Sequence, residues 1–130
     1  MKPKTAKSEK SLYERLGGYD VIAAVIDDLL ARMRSDPVFV RFGTGRGLDS
    51  RDRARQLIVD QVCSLAGGPC IYIGRDMRTS HAGLGITEAE WEANMAHTAA
   101  ALDKMRISGR EKEEFLSIFS RYKTDIVEPS

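Results

Sequence analysis

Between Tyr19 and Ser35, the apolar residues Val21, Ile22, Val25, Ile26, Leu29, Leu30 and Met33 recur at three- and four-residue intervals, and Asp27 and Asp28 fall on the other side. That is the helical period, and so wide an apolar stripe needs an interior to face. Asp36-Pro37 ends the helix. The period returns three times. Ala54, Leu57, Ile58, Val62 and Leu65 mark a helix capped by Asp49 or Ser50, running to about Ala66 and stopped by Gly67-Gly68-Pro69. Trp91, Met95, Ala99, Leu102 and Met105 mark another. It is capped by Thr87, has Glu88 and Glu90 in the first turn where acids suit the dipole, and breaks at Ser108-Gly109. Phe115, Leu116, Ile118, Phe119, Tyr122 and Ile126 mark the last, over about Arg110 to Ile126. A short amphipathic turn, Ser11 to Leu16, precedes the first helix and stops at Gly17-Gly18. Val38 to Gly47 reads as a link, apolar at first and then glycine-rich. Cys70-Ile71-Tyr72-Ile73 has no second strand to pair with, so it reads as an extended link. The pattern predicts an all-α chain.

Its 130 residues suit one domain over 11–130. A chain of this size buries roughly 65–70% of its unfolded surface, enough for a core and an internal pocket. The formal net charge of +1 gives no electrostatic case for nucleic acid or an anionic membrane. Residues 1–10 carry four lysines and little that is apolar, and read as a disordered basic tail. No apolar core follows the basic start and no run approaches the length of a membrane span, so the expected compartment is the cytoplasm. Cys63 and Cys70 match no zinc spacing, and read first as one buried helical thiol and one thiol near a turn, with a mutual disulfide as the less favoured alternative. There is no nucleophile elbow, phosphate loop or metal-binding histidine pair to support a hydrolase or similar enzyme.

The most informative segment is Gly74-Arg75-Asp76-Met77-Arg78-Thr79-Ser80-His81-Ala82-Gly83-Leu84-Gly85-Ile86-Thr87. It holds one of two histidines, placed between a short charged stretch and a glycine hinge into the next helix. A lone histidine held this way suits a single metal contact, such as the axial bond to a haem iron. Such a ligand needs its other ring nitrogen tied to a carbonyl, and a helical turn before His81 would supply one from Met77 or Arg78. His97 lies mid-helix between Met95 and Ala99 and reads as a partly buried structural histidine.

The order of motifs is Leu-Gly-Gly, a long apolar helix, an aromatic link, Leu-Ala-Gly-Gly-Pro, Tyr-x-Gly-Arg-Asp-Met and His-x-Gly-x-Gly-Ile-Thr. It resembles the truncated haemoglobins, the two-over-two helical globins, and most closely their group 1, over about Ser11 to Val127. The resemblance implies a two-over-two sandwich and a haem b cofactor. It implies that His81 is the proximal iron ligand and that Met77 packs under the ring. It places Tyr72, Leu84, Ile86 and Trp91 along the haem, with Phe42 from the aromatic link and Ala54, Ile58 and Val62 from the third helix. Arg75 or Arg78 would reach a propionate, because a guanidinium pairs well with a carboxylate. Gly17, Gly18, Gly67 and Gly68 match the glycines that shape the shortened helices.

The departures from the family lie on the gas-binding side. Relatives carry a tyrosine where this chain has Leu30, and often a polar residue where it has Ile58. The family's aromatic pair appears as Phe42-Gly43, so either the second ring is missing or the register has slipped by one. A donor facing the outer atom of bound oxygen contributes roughly 1.5–3 kcal/mol, and about 1.4 kcal/mol is tenfold in affinity. Leu30, Ala54, Ile58 and Val62 offer none, which predicts weak oxygen binding with carbon monoxide or nitric oxide relatively favoured. Gln61 and Asn94 are the two polar residues placed to modify that pocket. The expected function is reversible binding of a diatomic gas opposite His81, as in oxygen binding or oxygen transport. A reductase partner would keep the iron reduced. Nitric oxide dioxygenation, known in the family, needs stably held oxygen and fits the apolar side poorly. The alternative is a haem-free globin-fold module that binds an apolar molecule or a partner protein.

Overall fold

The computed structural model describes residues 10–43 and 48–128, so the expected basic tail lies outside the described residues except for Lys10. Every regular element described is helical. Helix α1, Leu12–Leu16, is started by Ser11, whose hydroxyl accepts from the Glu14 N–H while Glu14 accepts from the Ser11 N–H. Gly17 ends it at φ 108°, a left-handed turn that a side chain would strain. Helix α2, Tyr19–Arg34, carries the longest apolar stripe, and Ile22, Val25, Ile26 and Leu29 are buried.

The predicted link after α2 is partly helical. Pro37–Phe39 forms a 3-10 turn and Val40–Gly43 a short helix, α3. Asp36 caps the turn by accepting from the Val38 N–H at 3.0 Å, and Pro37 sits at its first position. The Asp-Pro pair that stops α2 therefore starts the next turn at once. Gly45 and Gly47 of that link lie outside the described residues. Helix α4, Leu48–Leu65, begins ahead of the expected caps, placing Asp49 and Ser50 in its first turn. Such residues are tolerated where the amides lack intrahelical partners in any case.

Gly67-Gly68-Pro69 turns the chain back sharply enough to bring the Cα atoms of Cys63 and Cys70 to 5.8 Å, and the two cysteines form a disulfide. The expectation of two separate thiols is thus corrected. Cys70 to Ile73 is extended and unpaired, as predicted. Helix α5, Met77–His81, is capped by Asp76, which accepts from the Thr79 N–H at 2.7 Å. Helix α6, Glu88–Lys104, opens with a reciprocal capping pair between Thr87 and Glu90.

The predicted last helix is two: α7, Gly109–Ser120, and α8, Lys123–Ile126. The break at Arg121-Tyr122 re-aims the chain so that α8 packs on α5. Helix α2 packs against both α4 and α6, and α7 packs against α6 and α1. The core where they meet includes Ile22, Val25, Ile26, Val59, Val62, Cys63, Leu102 and Phe115. Thr98, fully buried, satisfies its hydroxyl on the Asn94 carbonyl at 2.8 Å. Among the described residues, no helix is long and apolar enough to cross a membrane.

Candidate functional site

Helix α4 is apolar on two adjoining faces. Val59, Cys63 and Ala66 pack into the core, while Ala54, Leu57, Ile58, Gln61, Val62 and Leu65 line a cavity of about 440 Å³. Leu29, Leu30 and Met33 of α2 extend that lining. Phe39 and Phe42, with ring centroids 6.2 Å apart, add two aromatic rings from the turn and from α3. Two rings from this segment thus face the cavity, three residues apart. The remaining lining comes from Tyr72, Met77, Ser80, His81, Leu84 and Ile86, from Glu90, Trp91 and Asn94 of α6, and from Ile118, Phe119, Tyr122 and Ile126 near the C-terminus.

His81 is held at one nitrogen. Its Nδ1 lies 2.9 Å from the Met77 carbonyl oxygen and 2.9 Å from Ser80 Oγ. A carbonyl only accepts, so Nδ1 carries the proton and the lone pair is on Nε2. Ser80 in turn donates to the same carbonyl at 3.3 Å. The bond closes one turn of α5, so the element that places the imidazole also sets its tautomer.

Of the residues named from sequence, Leu30, Phe42, Ala54, Ile58, Gln61, Val62, Tyr72, Met77, His81, Leu84, Ile86, Trp91 and Asn94 come together around this cavity. Arg75 and Arg78 do not line it. Arg78 is turned outward to Asp125 at 2.9 Å, while the Arg75 carbonyl accepts from the Tyr72 hydroxyl. The break between α7 and α8 is what puts Asp125 within reach of Arg78. The apolar pattern over Arg110 to Ile126 carries no mark of that partner.

The missed lining includes Phe39, Leu57, Glu90 and the C-terminal group. Phe39 and Leu57 were recognised as apolar, but nothing in their spacing separates a core side chain from a cavity side chain. Glu90 is a first-turn acid like many others. Its role appears only through Arg41, which it accepts at 2.8 and 3.0 Å. That guanidinium, against desolvation and with help from the Thr87 N–H, holds the Glu90 carboxyl below its ordinary range.

A second hollow, over Ala31, Arg32, Ser35, Asp36, Pro37 and His97, is broad and open. Two of its polar groups pair with each other, His97 Nε2 lying 2.7 Å from Asp36, and Arg32 donates to the neighbouring Asp28 at 2.6 Å. His97 is thus a half-buried structural residue tying α6 to the start of the 3-10 turn, with its ring 6.0 Å from that of Phe39.

The main cavity suits an iron porphyrin by the chemistry of its donors. One imidazole with a fixed tautomer faces an aliphatic and aromatic slot, and the described residues contain no cluster of three or more His, Cys, Asp or Glu able to hold a bare ion. A single protein nitrogen retains a metal well only when other donors travel with it, as the four nitrogens of a porphyrin do.

Comparison with known proteins bears on the same point. Residues 11–128 match the bacterial-like globin family. The group 1 truncated hemoglobin GlbN of Mycolicibacterium paratuberculosis is 29% identical over 106 residues, covering 82% of this chain and 76% of that protein. The group 1 truncated hemoglobin GlbN of Nostoc sp. is 26% identical over 117 residues, covering 90% and 97%. The solved truncated hemoglobin of Tetrahymena pyriformis in its Fe(III) form has a TM-score of 0.83 at 21% identity, covering 92% of this chain and 100% of that one. The 2/2 hemoglobin of Synechococcus sp. PCC 7002, solved with covalently attached heme, gives 0.81 at 22% identity, covering 91% and 98%. At those identities the likeness speaks to the fold, and the fold is the two-over-two helical sandwich. Matched by one family from α1 to the segment after α8, the chain belongs to the bacterial-like globins, as a truncated, haem-binding globin of group 1.

Proposed function

We propose that the chain holds haem b in this cavity through His81 and reversibly binds a diatomic gas on the far side of the ring. The observation that carries the reading is the His81–Met77 hydrogen bond inside an otherwise largely apolar slot, which fixes the tautomer and leaves Nε2 as ligand. When bound, haem iron supplies an open coordination position for oxygen, carbon monoxide or nitric oxide. The chain's part is to position the imidazole, exclude bulk water and set the polarity around the gas. Leu30, Ala54, Ile58 and Val62 give that surrounding no hydrogen-bond donor. Gln61 and Asn94 also line the cavity, and their side-chain amides make no hydrogen bond to any described residue. With four aliphatic side chains against two amides on its rim, the pocket favours gases that need little polar support. Storage, sensing or scavenging of carbon monoxide or nitric oxide suits it better than oxygen transport or nitric oxide dioxygenation. A reductase would keep the iron reduced.

The test is absorption spectroscopy of protein expressed with ample haem, beside His81→Ala. The wild type should show an intense porphyrin band. His81→Ala should lose the five-coordinate ferrous spectrum and recover it with added imidazole. A variant that keeps the wild-type spectrum removes His81 as ligand. A wild type with no band, and none after adding haemin, leaves a haem-free module for an apolar molecule or partner protein.

A further inference from the structure

The loop after His81 is gripped from both sides by groups distant in sequence. Gly83 and Gly85 have φ of 80° and 64°, and a Cβ at either would meet nothing within 4 Å, so their glycines serve backbone conformation rather than space. In that conformation the Gly83 N–H (3.2 Å) and the Gly85 N–H both donate to the Glu128 carboxylate. The Leu84 and Gly85 carbonyls accept from the Arg41 guanidinium at 2.8 and 3.2 Å. Glu128 also donates its own N–H to the Ile86 carbonyl at 2.9 Å. Arg41 spends its remaining donors on Glu90 and lies 4.0 Å from the Phe42 ring centroid. An anion thus holds the amide side of the loop, a cation holds its carbonyl side, and the same cation is anchored on α3 and α6.

We propose that Arg41 and Glu128 are positioning residues: by clamping the Gly83–Gly85 loop they fix the depth of His81 and Leu84 relative to the Phe39–Phe42 wall, and so govern how firmly haem is retained. The proposal rests on the haem reading above for its second half. Charge-assisted bonds to backbone are about twice as strong as neutral ones. An exposed ion pair alone adds little, and the Arg41 side chain is 47% exposed. The effect therefore belongs to the loop's backbone groups, which have these two side chains as partners, and not to the Arg41–Glu90 pair by itself.

The experiment uses the haem-loaded protein, with Arg41→Ala, Glu128→Ala and the control Lys112→Ala, which removes an ion pair to Asp103 on the α6–α7 side. Amide hydrogen exchange is read at Gly83 and Gly85, haem transfer to excess apomyoglobin is timed, and the ferrous iron–imidazole stretch is recorded by resonance Raman. Both clamp variants should speed Gly83 and Gly85 exchange and haem transfer by about tenfold and broaden the stretch, while the control moves none of them. Arg41→Lys, which keeps the charge but loses the fork, should fall between. If either clamp variant stays at the control level in exchange and transfer while the porphyrin band is normal, the proposal is overturned. A wild type that takes up no haemin instead refutes the haem reading and the retention role with it, and Gly83 and Gly85 exchange then reads the clamp alone.

Discussion

At His81 two neighbours share one nitrogen, and they differ in kind. The Met77 oxygen is backbone and can only accept, while the Ser80 hydroxyl can rotate away. Tautomer control therefore rests with the helical turn, and Ser80→Ala should leave the iron–imidazole stretch nearly unchanged. A large shift would transfer that control to the hydroxyl. On the gas side, the comparison is between four aliphatic residues and two amides. Leu30→Tyr introduces a donor and should slow oxygen dissociation by about tenfold or more, with carbon monoxide dissociation changed by less than about threefold. Gln61→Leu and Asn94→Leu should each alter oxygen dissociation by less than about threefold, since the wild-type pocket is read as apolar. Stopped-flow release kinetics decide this. A tenfold faster oxygen release in Asn94→Leu would make that amide the working donor and sink the apolar account.

Elements were legible where a periodic stripe met a recognisable signal, as in α2 between Gly18 and Asp36 or α6 from its Thr87 cap, although α6 ends at Lys104, ahead of the expected break at Ser108-Gly109. They are hidden where one signal serves two purposes. Asp36-Pro37 stops α2 and also caps the next turn. The α7–α8 break has no glycine or proline to announce it. The cavity lining was legible on the His81 side because α5 is local, a capped turn of five residues with the imidazole at its end. Phe39, Glu90 and Glu128 were not, because their roles depend on contacts made across the fold. The Cys63–Cys70 pair shows the same limit: the two-glycine turn decides whether the thiols meet. That bridge staples the cavity-lining helix α4 to the link bearing Tyr72. Closing so short a loop stabilises the fold by about 2–3 kcal/mol in the chain-entropy estimate. Reduction by dithiothreitol should lower the urea midpoint accordingly, and Cys70→Ser should lose that response. Two free thiols found in the oxidised protein by mass spectrometry would refute the bridge. In the core, Phe115 is fully buried with its ring edge-on to Phe119 at 5.8 Å, so Phe115→Ala should cost about 3–5 kcal/mol.

Across the whole molecule the helices are tied to each other at their edges by carboxylates. Asp28 is held below the usual carboxylate value chiefly by Arg32, Asp36 by His97, Glu90 by Arg41, and Glu111 and Glu114 by Arg15. Arg15 links α1 to α7 through both of its acids, at 2.7 and 2.6 Å. Arg41 links α3 to α6. Each of these acids binds a proton less readily in the folded chain than in the unfolded one, so acid favours unfolding. Their contribution is present in full well above the ordinary values of 3.8 for Asp and 4.5 for Glu. It is lost progressively as pH falls through those values toward the lower folded ones. The pairs lie at the surface with each member at least partly exposed, so salt screens each one and no single pair dominates. The melting temperature should therefore hold level from neutral pH to about pH 5 and then decline steadily. In Arg15→Met, which frees Glu111 and leaves Glu114 to Arg110 alone, the decline should be shallower, because both carboxylates move back toward their unfolded values. Thermal melts of both proteins from neutral pH to about pH 3 measure this directly. Parallel acid limbs would mean that Glu111 and Glu114 take no part in the acid response, and that the coupling between α1 and α7 is carried by Leu12, Leu16 and Phe115 alone.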